Sequence, residues 1–308
     1  MRVAVVGATG VLGRAAVAAL VRCGYDVVAL ARGAGGAALL RDLGAEPWAA
    51  TLSDHDALVG MLSGADTVCN LLSRVPVGLA AMRPDAWRTH DRLRTEGSRR
   101  IVAAAREARV RRLVQASVSD VYADQGDAWV TEDSPLGITR ATEPASVAES
   151  YAQDFDGGPR CGGRVGVVLR FGGVVGDDPQ SRHLLRSAGH GHPVGLGSPL
   201  GWTHVVHEDD LGAAVVAALG VPGGVYNVGA EPVRRHDLME ALAAAAGREA
   251  ISFVGPLARR LGGVRLEPRA RSLRVSSARF AAAGGWEPTR ARVDPSWFGA
   301  QAPTGVAG

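Results

Sequence analysis

The sequence predicts an α/β protein, with a mostly parallel, doubly wound sheet covered by helices on both faces and a small C-terminal α/β cap. Three observations predict it. An apolar run at 3–6 is followed at once by Gly7-Ala8-Thr9-Gly10-Val11-Leu12-Gly13 and an alanine-rich stretch at 15–21. Short apolar runs then alternate with helical stretches as far as Arg170. Beyond residue 172 the texture changes to segments rich in Gly, Pro and His. These observations suggest a first domain at 1–172, a cap interleaved with its core at 173–299, and a disordered tail at 300–308.

The first apolar run reads as a strand, and the alanine-rich stretch after the turn reads as a helix. Gly7 permits a tight exit from the strand, Gly10 lets the backbone approach a pyrophosphate, and Gly13 lets the helix pack closely on the sheet. Thr9, Val11 and Leu12 complete that turn. The helix start offers unpaired N–H groups and a favourable dipole end. In this setting the pattern points to a dinucleotide on a Rossmann-type fold, with a plain tight turn as the alternative. The next strand, 27–30, leads to Arg32, where an acid would bond a free ribose 2′-hydroxyl and an arginine accommodates a 2′-phosphate. NADP is therefore favoured over NAD, unless Arg32 is only a solvated loop residue.

Further strands are expected at 67–72, 112–116 and 165–170, and helices at 56–62, 95–107 and 146–155. In the cap, 225–228 reads as a short strand and 235–246 as a helix. Asp54 reads as a helix N-cap.

Composition narrows the functional classes. The net charge is +3, yet arginines and acids are interspersed and no aromatic platform accompanies them, so nucleic-acid binding is not expected. No apolar stretch is long and charge-free enough to span a bilayer, and a strand starting at residue 3 leaves no room for a signal peptide. Cys23, Cys69 and Cys161 form neither a metal pattern nor a disulfide framework, which suggests a reducing cytoplasm. His183, His190 and His192 lack companion ligands and read as a solvated loop, so no metal site is expected. All 34 basic residues are arginine, and the chain has no lysine.

With these segments in order, the chain resembles an extended short-chain dehydrogenase/reductase of the NAD-dependent epimerase/dehydratase type. The matching residues are the glycine turn, Asn70-Leu71-Leu72-Ser73, Glu96-Gly97-Ser98, Ser117-Val118-Ser119-Asp120-Val121-Tyr122 and Leu169-Arg170. They continue with Val175-Gly176, Val205-Val206-His207-Glu208-Asp209-Asp210-Leu211, Tyr226-Asn227-Val228-Gly229 and Gly285-Trp286-Glu287-Pro288. The resemblance implies a nicotinamide dinucleotide in the N-terminal fold and a small molecule under the cap. It places Leu71, Leu72, Ser73 and Ala116 at the cofactor. Homodimers through helices flanking the fourth and fifth strands are common in that family, so a homodimer is an open expectation.

The resemblance also implies a catalytic Ser/Thr, a Tyr, and a Lys four residues after it that lowers the tyrosine pKa and bonds the nicotinamide ribose. Here those places fall at Val118, Ala141 and Ala145, with Glu149 matching a glutamate that commonly follows the lysine. Ser117, Ser119, Tyr122, Tyr151 and His204 remain as candidates to donate or orient a proton. Tyr151 has Phe155 where a lysine would follow, and His207 falls where the family often keeps a structural histidine. Thr203 stands where nucleotide-sugar enzymes carry a diphosphate-binding arginine, so an uncharged or hydrophobic metabolite fits better. Thr51 replaces an adenine-side aspartate.

The leading expectation is an NADP(H)-binding reductase of a small non-nucleotide metabolite in specialised biosynthesis. A redox-neutral cyclase, dehydratase or isomerase, and a non-catalytic dinucleotide sensor, are the alternatives.

Overall fold

The computed structural model describes residues 1–155, 163–255 and 265–299. Five strands, β1 (Arg2–Val6), β2 (Asp26–Ala31), β3 (Glu46–Ala49), β4 (Thr67–Asn70) and β5 (Arg112–Val118), precede a short β6 (Trp129–Val130) and β7 (Val165–Phe171). Later come β8 (Gly173–Val175), β9 (Trp202–Thr203), β10 (Val205–His207), β11 (Gly224–Val228), β12 (Val233–Arg234) and β13 (Arg274–Val275). Seven of them form one sheet in the order β3-β2-β1-β4-β5-β7-β11. Every pairing in it is parallel. The order reverses between β1 and β4, which opens a crevice at their carboxyl ends.

Strand alternation divides the core between the two faces. Val3 and Val5 point toward α1 (Val11–Arg22), α2 (Ala34–Asp42) and α8 (Glu208–Ala217), packing with Val17, Leu20, Leu40 and Leu211. Ala4 and Val6 point the other way, toward α3 (His55–Leu62), α5 (Ser98–Glu107) and α6 (Glu143–Phe155). Both sides of β1 are buried, so its residues form a continuous apolar run.

A further cluster of buried residues gathers beyond the sheet. Leu185 on α7 (Pro179–Gly189) packs with Leu238 and Leu242 on α9 (Arg235–Ala245) and with Trp297 and Phe298. Among the described residues no helix is long and apolar enough to cross a membrane.

Several elements depart from the sequence reading. The strand expected in the cap at 225–228 is β11, the parallel edge strand beside β7. The stretch after residue 172 also carries unforeseen helices, two of them long. One is α7, started by Asp178 accepting from the Gln180 and Ser181 amides; the other is α8, with Glu208, Asp209 and Asp210 in its first turn. β4 stops at Asn70, two residues early, and the Asn70 side chain turns inward, donating to Ser98 and Gln115. The helix expected at 95–107 begins instead with a short α4 (Arg88–Arg92) and runs through a π-helical turn, Leu93–Gly97, into α5. Asp54 does cap α3, accepting from the Ala57 amide at 3.0 Å.

Candidate active site

At the carboxyl end of β1 the chain turns at Gly7, whose φ of +86° suits only glycine. A Cβ on Gly7 would lie 2.7 Å from the Leu71 carbonyl, and one on Gly13 would lie 2.1 Å from the Gly7 oxygen. Turn, helix and β4 end therefore interlock through bare backbone. Gly10 is exposed and no side chain caps α1, so the amides of its first turn, Val11 and Leu12 among them, can meet an anion. A Cβ on Gly10 would meet nothing nearer than the Gly7 oxygen at 3.5 Å.

The loop after β2 leans on this turn, with Gly36 against the Thr9 methyl. Arg32 is exposed directly after β2 and makes no ion pair among the described residues. Leu71 is buried, Leu72 half-buried and Ser73 exposed just past β4. This cradle fits a dinucleotide diphosphate, since it leaves room and donors where the phosphates need them.

The wall formed by β5 and α6 is built differently. Val118 is half-buried, and Ala145 is sealed into an apolar cluster with Val121, Tyr122, Val130, Leu273 and Val275. Beside it runs a buried polar network: the Ser117 hydroxyl donates to Glu149 Oε1 at 2.5 Å, and Arg170 grips Glu149 through Nε at 3.0 Å and Nη2 at 2.6 Å. Arg170 also lies over the Tyr122 ring, 4.8 Å from its centre. Ser119 is buried on the 3-10 turn Ser119–Val121 that follows β5.

These surroundings differ for each of the expected proton donors. Tyr122 is fully buried, its hydroxyl donates to Asn227 Oδ1 at 2.8 Å, and burial raises its pKa, so its proton is committed to the fold. Tyr151 is half-buried and packs against the α5–α6 core with Ile101 and Phe155. His204 is buried beneath Gly229 with neither ring nitrogen hydrogen-bonded, and burial lowers its pKa to about 3. At neutral pH the ring is therefore a neutral imidazole, with one N–H and no imidazolium charge to act as a strong acid. His207 instead caps α8, its Nδ1 accepting from the Asp209 amide at 3.2 Å, and its ring packs on Trp297.

The remaining sequence candidates scatter. His190 and His192 stack on one another in an exposed turn, while His183 lies against Gly78. Cys69 is buried in β4, where burial pushes its thiol up to about 12, and Cys23 is exposed and free. Cys161 lies outside the described residues.

Two residues were passed over. Arg94 sits 4% exposed in the π-helical turn, its Nη1 donating to the Ala116 carbonyl at 3.4 Å. His90, one turn earlier, accepts from the Arg74 amide, and burial, then the nearby Arg94, Arg265 and Arg269, lower its pKa to about 3. An arginine in an otherwise apolar strand, as at 170, is the sequence signal that a buried partner exists.

The seven parallel strands, the crevice and the glycine cradle define an extended short-chain dehydrogenase/reductase. The chain belongs to the NAD dependent epimerase/dehydratase family, which it matches over residues 3–229. It is 33% identical over 231 residues, 71% of this chain and 72% of the relative, to a 3-diazoavenalumate denitrifying reductase from a Streptomyces species. It is also 36% identical over 124 residues, 40% of this chain and 35% of the relative, to a 4-hydroxy-2-methyl-3-oxo-4-farnesyl-3,4-dihydroquinoline-1-oxide ketoreductase from Stigmatella aurantiaca. Among solved structures, MoeE5 in complex with UDP-glucose and NAD has a TM-score of 0.75 at 23% identity, over 98% of this chain and 97% of that one. The UDP-glucose 4-epimerase of Bifidobacterium longum, in complex with NAD+ and UDP, has a TM-score of 0.76 at 17% identity, over 97% and 96%. Those two likenesses concern the fold alone.

Proposed function

We propose that this chain is an NADP(H)-dependent reductase of a small, non-nucleotide intermediate in natural-product biosynthesis, and that its hydride acceptor takes no proton from the protein. The observation that carries the reading is an intact glycine cradle beside a wall in which Tyr122 is tied to Asn227 and Ala145 replaces the lysine. When bound, the reduced nicotinamide supplies the hydride. The α1 amides hold the diphosphate, and Arg32, free of acidic partners among the described residues, takes the 2′-phosphate. Thr203, in place of an arginine, offers no clamp for a second diphosphate, which disfavours sugar nucleotides.

Both relatives bear reductase names, and the denitrifying one supports an acceptor that loses nitrogen. On an aryl diazonium a C–H bond forms from the hydride pair and the C–N pair leaves with N2. Two electrons are gained and no proton is consumed. A ketone acceptor would instead yield an alkoxide needing an acid, whose absence costs about 10²–10⁴-fold.

The test is a fluorescence titration with NADPH and NADH, followed by assays of NADPH consumption on an aryl diazo substrate and on a ketone. Selective NADPH binding and stoichiometric consumption with the diazo substrate are expected. Turnover of a substrate without NADPH loss would replace this reading with redox-neutral catalysis, which the missing lysine also favours.

A further inference from the structure

Arg94 is a buried cation whose neighbouring acids are already engaged. Glu149 is held by Arg170 and Ser117, Asp91 by Arg265 at 2.5 Å, and Asp120 faces Arg269 at 3.9 Å. Among the described residues no carboxylate reaches Arg94, and its Nε is buried without a partner. A buried charge without a counter-ion is strongly unfavourable, so folding tolerates it only for a reason. Burial pulls its pKa down to about 10, against the attraction of Glu149, Asp120 and Asp91, and the group stays charged at neutral pH.

Position supplies the reason. Arg94 sits on the π-helical turn Leu93–Gly97, a rare irregularity that occurs frequently at functional sites. That turn packs on α6, and the guanidinium meets the β5 end at Ala116. Ala145, where the lysine is missing, lies one helical turn before Glu149 and is buried like it.

We propose that Arg94 is the anion receptor of the substrate site, binding a negatively charged oxygen, phenolate or carboxylate, that the substrate carries near its hydride-accepting carbon. The proposal rests on the reductase reading for what lies beside that oxygen, but the anion site stands by itself. A guanidinium suits the task because it stays charged when desolvated and presents several donors in a plane.

The probe is 4-nitrophenol, titrated against the full chain with and without saturating NADP+, with neutral 4-nitroanisole as control. Bound probe should ionise at least one pH unit lower than free probe, read from its phenolate absorbance, and should bind about tenfold tighter than the control. Arg94→Met should abolish the shift while leaving the NADPH titration within a few-fold of the original, and Arg94→Lys should restore part of it. If Arg94→Met does not fold, the original protein and Arg94→Lys still decide. An unshifted or unbound probe, or a shift that survives Arg94→Met, overturns the proposal. A lower rate in Arg94→Lys with unchanged probe binding would also overturn it, assigning Arg94 to an oxyanion formed only during reaction. Failure of NADPH to bind, with the probe shift intact, would remove the reductase reading and keep the anion site.

Discussion

The cradle at the end of β1 and the wall at the end of β5 lie in one crevice but are made of different materials. The cradle is backbone: Gly7 and Gly13 work by having no side chain. The wall is side chain: Ser117, Glu149, Arg170 and Tyr122 bond to one another or to Asn227. A backbone site tolerates almost no substitution, because any Cβ strikes the chain. A side-chain site can be rewired while the fold stands, which is how one architecture serves different chemistry.

The sharpest way to break this contrast is to open the wall. Glu149→Ala strands Arg170 in the interior and should cost about 3–5 kcal/mol in urea unfolding. A loss under about 1 kcal/mol would show that the network is not structural. The cradle should be nearly as intolerant: Gly13→Ala should cost about 3 kcal/mol by overpacking and weaken NADPH binding at least tenfold, seen by fluorescence. Arg32→Ala should weaken NADPH binding by about 10–100-fold, the worth of a charged hydrogen bond, and leave NADH unchanged in the same titration.

Acid should reveal the two buried histidines. Unfolded, His90 and His204 take up protons below pH about 6.5; folded, both stay neutral down to about 3. Between those values the unfolded chain binds more protons, so stability falls as the pH drops, by up to about 1.4 kcal/mol per unit for each histidine. His204→Leu should remove its share of that slope, measured by urea midpoints at pH 7, 6 and 5. The smallest effect is expected from Tyr122→Phe, about 1 kcal/mol of stability with turnover changed less than about threefold. A fall of about 10²–10⁴-fold would restore Tyr122 as the proton donor.

Legibility in the sequence followed the same divide. The β1–α1 unit could be read because strand period, glycine spacing and helix propensity are all local. β11 could be read as a strand but not as part of the sheet, since its pairing with β7 joins residues nearly sixty apart. Counting along the family resemblance puts its catalytic places at Val118, Ala141 and Ala145. The surroundings of the candidates are not legible in this way, because the hydrogen bond of Tyr122 to Asn227 spans 105 residues and His204 lies against Gly229. The π-helical turn has no sequence signature in the chain, and Arg94 falls just before the helix expected at 95–107.

The late position of β11 has a consequence for synthesis. Until it arrives, β7 is the outer edge of the sheet, with the N–H and C=O groups that will pair with β11 left open. Between the emergence of Phe171 and Val228, roughly 3 to 11 s pass at ~5–20 residues/s. During that interval the nascent chain presents an unpaired strand edge, open to pairing with another unfinished copy.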